Sequence, residues 1–240
     1  MFDHISKIDL NNRSWKEKEY LTFDVDWVSD EILETTINIL ETNNVRATFF
    51  VTHNSDLLNS LMDNPLFEIG IHPNFNYFLN GDIRYGSNLK EILEYYMKIV
   101  PDAVSIRNHY LLNGTQFINI YRELGIKYDV NLFIPHYSGI KELSPFSYWS
   151  EEVISVPFFW EDDINLLYLT DWNIDACLDF EGIKVFAFHP IHVFLNSEKI
   201  ERYSSCKQHI RNYKVCREYV NTKLYGTRDF LIDLIEKVQY

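Results

Sequence analysis

Two aspartates, Asp24 and Asp26, stand one residue apart at the end of an apolar run, and their spacing makes them strong candidates for chemistry. If Tyr20–Phe23 forms a buried strand, both carboxylates lie where that strand leaves the core. Two acids in such a place cost desolvation and repel one another, so they need a metal ion, an arginine or a shared proton as a partner. Since α/β folds gather their catalytic groups at the carboxyl ends of strands, the pair predicts a site there.

Three other predicted strands are followed by polar residues that could be this partner. His72 follows the predicted strand Phe67–Ile71. Arg107 and His109 follow Ala103–Ile106, and His189 and His192 follow Val185–Phe188. Taken alone, each histidine is most often a hydrogen-bonded structural residue, and the arginine an ion-pair residue. Together they lie at one edge of the predicted sheet, where carboxylates and imidazoles suit zinc or another divalent transition metal.

This set of side chains is the inventory of a metal-assisted hydrolase. A carboxylate that is not a ligand could act as general base, and a second histidine as general acid. Arg107 could hold the base ionised and oriented. Asn76 also enters the set, because Pro73 suits the first position of a new turn, and a helical turn would bring Asn76 to face His72.

The elements that must position these residues alternate between strands and helices. The predicted strands are Tyr20–Asp24, Ala47–Val51, Phe67–Ile71, Ala103–Ile106, Tyr128–Leu132, Val153–Val156 and Val185–Phe188. The predicted helices are Glu31–Glu41 with Asp30 as N-cap, Asp56–Met62, Leu89–Ile99, Gln116–Leu124, and two or three in the tail Glu198–Tyr240. Such alternation predicts a parallel sheet with helices outside it.

About seven strand–helix units without a linker favour one α/β domain over residues 1–240. We expect a (β/α)7-type distorted barrel of parallel strands with outer helices, its core at about 18–195 and C-terminal helices at 196–240. Two long loops, Pro73–Asn88 and Phe133–Glu152, are rich in Asn, Gly, Ser and Pro. Loops of this length often carry function, and mobile surface is the equal alternative.

The composition argues against several kinds of partner. There are 35 acidic residues against 22 Lys and Arg, a formal charge of −13, which argues against binding nucleic acid or anionic membranes. No apolar stretch approaches the roughly 18 residues of a transmembrane helix. The polar N-terminus lacks a secretory apolar region, and the three cysteines have no metal-type spacing, so we expect a cytoplasmic protein. Aromatic residues, at 16%, could line a carbohydrate site or fill the core.

The order of these motifs resembles that of the polysaccharide deacetylase family, the NodB-homology group of carbohydrate esterases, over roughly residues 21–192. The family motif T-F-D-D-G appears as TFDVDW at Thr22–Trp27, with one residue between the acids. The family strand A-T-F-F-V is matched at Ala47–Val51. The motif H-S/T-x-x-H reads HPNFN at His72–Asn76, R-x-P-Y reads RNHY at Arg107–Tyr110, and the last motif reads VFAFH at Val185–His189.

The resemblance implies a role for each matched residue. Asp24 would be the general base, held in place by Arg107, and His189 the general acid. Asp26 and His72 would be metal ligands. The third ligand is open, because Asn76 stands in place of the motif's second histidine.

An amide oxygen coordinates a metal more weakly than imidazole, so His109 or His192 could complete the site instead of Asn76. Tyr110 would shape the groove, and its backbone N–H could stabilise an oxyanion. Trp160, within FWEDD at Phe159–Asp163, loosely matches a motif that pairs an acid with a tryptophan. We therefore place Tyr110, Trp160, His109 and His192 at the substrate.

The strings IHPNFN, NLFIP, PFFWEDD and FHPIHVFLN resemble the WbmS-like branch, which is linked to bacterial surface-polysaccharide clusters. This resemblance implies a metal-dependent hydrolase, most suited to zinc with cobalt, nickel or manganese as alternatives, that removes an N-acetyl or other N-acyl group from an amino sugar. A cytoplasmic enzyme would meet a nucleotide-linked, lipid-linked or small precursor sugar. The alternatives are a non-catalytic sugar-binding relic and a hydrolase of another non-peptide C–N bond. The sequence leaves the oligomeric state open.

Overall fold

The strongest apolar runs of the sequence form the central strands of one sheet. The computed structural model describes residues 1–149, 151–168 and 172–239. Its strands are β1 (Glu19–Asp24), β2 (Ala47–Val51), β3 (Phe67–Ile71), β4 (Ser105–Ile106), β5 (Tyr128–Asp129), β6 (Glu142–Leu143), β7 (Phe146–Ser147), β8 (Ile154–Ser155), β9 (Trp160–Glu161), β10 (Glu181–Gly182) and β11 (Lys184–Phe188). In the main sheet their order is β7-β8-β5-β4-β3-β2-β1-β11-β9. Within that sheet the strands run parallel, except that β7 pairs antiparallel with β8 at one edge.

This sheet curls into an incomplete barrel with helices around it, and the predicted fold class of a distorted (β/α)7-type barrel is confirmed. Strand β2 is buried along its whole length, as is β1 after its first residue. Strands covered on both faces read as continuous apolar runs, which is why their sequences made them easy to predict. At Gly70 of β3, an added Cβ would lie 2.6 Å from Ser105 Oγ and 2.8 Å from the Phe50 ring. The close approach of three central strands therefore requires glycine at this position.

The longer helices bury an apolar stripe and expose the opposite face, whereas the short helix at 76–79 has no buried residue and the one at 190–195 is buried throughout. They are α1 (Asp30–Thr42), α2 (Asp56–Asp63), α3 (Asn76–Leu79), α4 (Leu89–Ile99), α5 (Thr115–Glu123), α6 (Asp162–Tyr168), α7 (Ile174–Leu178), α8 (Pro190–Leu195), α9 (Ile200–Cys206), α10 (Tyr213–Cys216) and α11 (Thr227–Gln239). Helix α1 buries Ile32, Leu33 and Leu40, which share one face at helical spacing. Its N-cap is Ser29 and not Asp30, since the helix already begins at Asp30.

The sequence-based boundaries were wrong mainly at the weaker strands. Strands β4, β5 and β8 are two residues long, shorter than predicted, and β6, β7, β9 and β10 were not predicted. Two-residue strands exist through pairing with a neighbouring strand, so they leave no local periodicity in the sequence. The loop over 133–152 contains β6 and β7, and the loop over 73–88 contains α3. The tail contains three α-helices, as predicted. Ser150 of the second predicted loop and Tyr240 of the predicted tail lie outside the described residues.

The strand register brings the polar residues of the sequence to one edge of the sheet. Asp24, the last residue of β1, pairs with Phe50 of β2, and Ile71 of β3 pairs with Ile106 of β4. Phe23 of β1 pairs with Phe188, the last residue of β11. The residues that follow these strands therefore meet at a common edge. Over the described ranges, none of the helices combines the length and apolar character that crossing a bilayer requires.

Candidate active site

The base of the site is an ion pair between Asp24 and Arg107 that is almost entirely removed from solvent. Arg107 is 0% exposed, and its Nη1 donates a hydrogen bond of 2.9 Å to Asp24 Oδ1. Its Nε donates to the carbonyl oxygen of Val130, and its guanidinium lies 4.7 and 4.4 Å from the rings of Phe50 and Phe158. These contacts fix the guanidinium, which in turn orients the carboxylate of Asp24.

Three side chains beside this pair place one donor atom each at the corners of a small triangle. Asp26 Oδ1 lies 3.5 Å from His72 Nε2 and 3.3 Å from His109 Nδ1, and the two imidazole nitrogens are 3.3 Å apart. Tetrahedral zinc with ligands at about 2.0–2.1 Å holds neighbouring donors about 3.3–3.4 Å apart. The separations of the three donors therefore fit a divalent metal ion of this kind.

Two buried atoms of the side chains that form the triangle lack hydrogen bonds to the described residues. Asp26 Oδ1 and His72 Nδ1 have no hydrogen-bond partner in the described part of the chain, and His72 Nδ1 faces Asp24 Oδ1 at 3.9 Å. Burial opposes ionisation of Asp26, but the contacts with His109 and His72 outweigh it and hold the pKa of this carboxyl well below its usual range. An ionised, buried carboxylate without a hydrogen bond is the state in which a metal ligand is expected.

Asp26 reaches the triangle through a left-handed turn and not through strand alternation. Strand β1 ends at Asp24, and Asp26 has φ +44°, a conformation that is uncommon for residues other than glycine. Thr52 Oγ1 supports the turn by donating to the Asp26 carbonyl oxygen at 3.1 Å. Backbone held in this region is typical of functional sites, where the surrounding structure supports the strain.

The predicted helical turn after His72 does not form, and this removes the reason for expecting Asn76 at the metal. Helix α3 begins only at Asn76. Asn74 Oδ1 accepts a hydrogen bond from the Asn76 N–H at 2.9 Å, so residues 72–75 make an Asx-type approach to the helix. Asn76 is half-buried and does not line the cavity that contains His72. His109, which the sequence left as an alternative, lies at the third corner in its place.

Across the cavity, His189 is held by two bonds to one aspartate. His189 Nδ1 lies 2.7 Å from Asp162 Oδ1, and its backbone N–H donates to Asp162 Oδ2 at 2.8 Å. Burial lowers the pKa of His189, but Asp163 and Asp162 outweigh it and raise that pKa well above its usual value. The Nε2 atom of a protonated imidazole held this way is a proton donor, as a general acid requires.

His192 is a structural neighbour of this pair. It is 1% exposed, and its two ring nitrogens lie 3.0 Å from Ser197 Oγ and 2.6 Å from Asp163 Oδ1. Donor atoms of Asp163, His189 and His192 lie within 4.8 Å of one another, so this group could also hold a cation. The contacts of His189 with Asp162 and of His192 with Asp163 explain why these side chains are placed here even when no cation is bound.

Most of these groups line one cavity of about 240 Å³, whereas Arg107, Asp162 and His192 lie behind its lining. The titratable groups in its lining include Asp24, Asp26, His72, His109, Glu161, Asp163, His189 and Lys207. Tyr110, 74% exposed and with φ +58°, stands at the rim together with Trp27 and Tyr203. The residues expected to be base, first ligands, acid and positioning arginine are thus brought together.

Trp160 does not lie at the cavity, where the sequence placed it, whereas its neighbour Glu161 does. Trp160 is 1% exposed and stacks on Phe230 at 4.6 Å in the core, so it does not line the cavity. Its neighbour Glu161 faces the opposite side of β9 and does line it. Strand alternation in FWEDD was the signal that could have identified Glu161, because a core-facing Trp160 turns the next side chain into the barrel.

Known proteins of similar sequence and fold show the family to which the chain belongs. The family model described as WbmS-like polysaccharide deacetylase matches residues 21–207. A crystal structure from Bordetella bronchiseptica, described as a polysaccharide deacetylase involved in O-antigen biosynthesis, is 39% identical, with a TM-score of 0.92 and coverage of 98% of this chain and 97% of that one. The chain therefore belongs to the WbmS-like polysaccharide deacetylase family, a group of hydrolases.

More distant structures share the fold. A polysaccharide deacetylase structure from Mycobacterium smegmatis is 15% identical, with a TM-score of 0.52 and coverage of 92% and 89% of the two chains. A peptidoglycan N-acetylglucosamine deacetylase bound to a hydroxamate-type benzamide is 14% identical, with a TM-score of 0.50 and coverage of 93% and 82%. No curated protein sequence matches the chain.

Proposed function

We propose that this protein is a metal-dependent deacetylase that hydrolyses the N-acyl group, most suitably N-acetyl, of an amino sugar used to build a bacterial surface polysaccharide. The observation that carries the proposal is the arrangement around one cavity of a buried carboxylate–arginine pair, a triangle of metal-type donors and an aspartate-bound histidine. The relative from Bordetella bronchiseptica, described as acting in O-antigen biosynthesis, supports this biological setting.

Asp26, His72 and His109 would hold the metal, and zinc suits their donor set best, with cobalt, nickel or manganese as alternatives. When bound there, a divalent ion would supply Lewis acidity toward the acyl carbonyl and the attacking water. Asn76 lies outside this set. The side chain of His109 is 18% exposed and lines the cavity with Asp26 and His72, so one side of the triangle faces the cavity, as a catalytic centre needs.

The remaining groups account for the proton movements of amide hydrolysis. Asp24, oriented by Arg107, accepts a proton from the attacking water. His189 donates its Nε2 proton to the sugar nitrogen as the C–N bond breaks, and Asp162 stabilises the charged imidazole before that step. The backbone N–H of Tyr110, a residue that lines the cavity, would donate to the oxyanion. The products are a carboxylate, acetate for an N-acetyl substrate, and the free amino sugar.

The substrate we propose is a precursor sugar, nucleotide-linked, lipid-linked or small. The alternative of a non-catalytic relic rested on the missing histidine at position 76. His109 offers an imidazole at the third corner of the triangle, which supports a working metal site. A hydrolase of another C–N bond would use the same groups, and substrate profiling separates the two.

Asp24→Asn tests the proposal. Release of acetate from a panel of N-acetylated sugars and sugar nucleotides should fall by at least about 10²-fold, because the variant lacks the base. Its zinc content should stay that of the wild type, since Asp24 is not a ligand. Asp102→Asn, at an exposed position, is the matched control and should retain full activity. Activity of Asp24→Asn within about tenfold of the wild type would contradict the role of Asp24.

A further inference from the structure

Glu161 carries a carboxyl group that lines the active-site cavity and has no hydrogen bond or ion pair with any described residue. It lies on β9 opposite Ala187 of β11, two residues before His189. The next two acids of the chain each bind a histidine, Asp162 to His189 and Asp163 to His192. Among the three acids Glu161, Asp162 and Asp163, Glu161 alone has a carboxyl group without a partner among the described residues. Its carboxyl group is therefore available to a ligand in the cavity.

A carboxyl group in this position is unfavourable without a partner. Burial raises the pKa of Glu161 to about 8, against the opposing effect of the nearby His189 charge. Glu161 is half-buried, and a carboxyl group that lines a cavity without a hydrogen bond to a described residue can be satisfied by a ligand that enters the cavity. No step assigned so far to the base, the acid or the metal uses this side chain.

The charged groups around Glu161 indicate which part of a substrate it would meet. They are Asp24 at the end of β1, Arg107 after β4, Asp163 in α6 and His189 after β11. Strand β9 pairs with β11 so that Glu161 lies opposite Ala187, two residues before His189, and both Glu161 and His189 line the cavity. Since His189 is the group that protonates the departing nitrogen, Glu161 lies on the leaving-amine side of the cavity.

We infer that Glu161 is a further substrate-contacting residue, whose carboxyl group binds the amino nitrogen of the sugar during and after C–N cleavage. The inference rests on the proposed deacetylase function. Before cleavage, the amide N–H donates a hydrogen bond to the carboxyl oxygen. His189 then gives one proton to the nitrogen as the C–N bond breaks, which leaves a neutral amine.

The protonated carboxyl of Glu161 passes its proton to that amine. The result is an ammonium group paired with a carboxylate, with no net change in charge or atoms. When the amino sugar leaves, Glu161 recovers a proton from solvent. Glu161 thus gives the cavity a preference for an amine over a hydroxyl at the reacting carbon, which is the distinction that an enzyme acting on amino sugars needs.

Binding calorimetry with two probes, glucosamine and glucose, tests this inference without requiring turnover. In the zinc-loaded wild type at pH 7, glucosamine should bind at least about tenfold more tightly than glucose. Glu161→Gln keeps the size of the side chain but cannot transfer a proton or become an anion, so it should lose this preference, and Glu161→Ala should lose it too. Glu181→Gln, an exposed acid on β10, is the matched control and should retain it.

Thermal unfolding and zinc content, measured on each variant, verify that the fold and the metal site are intact. An equal preference for glucosamine in the wild type, Glu161→Gln and Glu161→Ala would overturn the inference, and so would a wild type without any preference. Acetate release from N-acetylated sugars tests the deacetylase proposal separately. A wild type that releases acetate but does not distinguish the two probes would therefore contradict the role of Glu161 alone.

Discussion

Replacing Arg107 with methionine should destabilise the folded protein substantially, because it leaves Asp24 buried without its charged partner. The two side chains are 0% and 5% exposed and are joined by a hydrogen bond of 2.9 Å. Breaking a buried ion pair by removing one partner costs about 3–5 kcal/mol. Methionine fills much of the space between the rings of Phe50 and Phe158, so the loss is mainly electrostatic.

A double-mutant cycle measures this coupling directly. The free energies of unfolding in urea are compared for the wild type, Arg107→Met, Asp24→Asn and the double variant, at pH 7 with the metal chelated. The double variant should be more stable than Arg107→Met, because it no longer contains an uncompensated buried charge. A coupling energy of about 2–3 kcal/mol is expected for two groups in direct contact.

Arg84→Met is the matched control, since Arg84 pairs with Asp82 on the exposed surface. Exposed pairs of this kind contribute little to stability because solvent screens their charges, so this variant should stay close to the wild type. Two results together would refute the account of Asp24 as a carboxylate held by a buried arginine. They are an Arg107→Met variant as stable as Arg84→Met, and free-energy changes of Arg107→Met and Asp24→Asn that simply add in the double variant.

Two other variants probe the opposite side of the cavity. Asp162→Asn should lower kcat for acetate release by about 10²–10⁴-fold, because His189 loses the anion that keeps it charged and oriented; a loss under about fivefold would contradict that pairing. Glu161→Gln should become more stable relative to the wild type as pH rises from about 5 to 8. The folded wild type retains a proton on Glu161 up to its pKa of about 8, whereas the unfolded chain has already released it near 4.5. The wild type therefore loses up to about 1.4 kcal/mol per pH unit in this window, relative to the variant. Urea unfolding at pH 5, 6.5 and 8 measures the difference, and a constant value would contradict the assignment.

The main features of the fold were predictable because they depend on long apolar runs. Strands β1, β2, β3 and β11 follow such runs closely, and the polar residues after them meet at one edge through the parallel register. The short strand β9 was not predictable in this way, since it is defined by pairing with β11. This is why Trp160 was mistaken for a substrate-binding residue while Glu161 was overlooked.

The third corner of the donor triangle shows a different limit of sequence reasoning. Motif spacing favoured Asn76, because a helical turn from Pro73 would have brought it to His72. The side chain of Asn74 instead binds the Asn76 N–H and delays the helix. His109 comes from a distant part of the chain, and its proximity to Asp26 depends on the pairing of β3 with β4 and on the turn at Asp26. Tertiary geometry of this kind cannot be read from spacing alone.

The single domain and the cytoplasmic location stay predictions.

The central claim is that Asp26, His72 and His109 hold a divalent metal ion and that Asn76 does not. Elemental analysis of protein purified with zinc and washed with a weak chelator tests it most directly. The wild type and Asn76→Ala should each retain about one zinc ion per chain, whereas His72→Ala and His109→Ala should retain far less, with circular dichroism showing that each variant is folded. Full zinc content in His109→Ala, together with its loss in Asn76→Ala, would contradict the account.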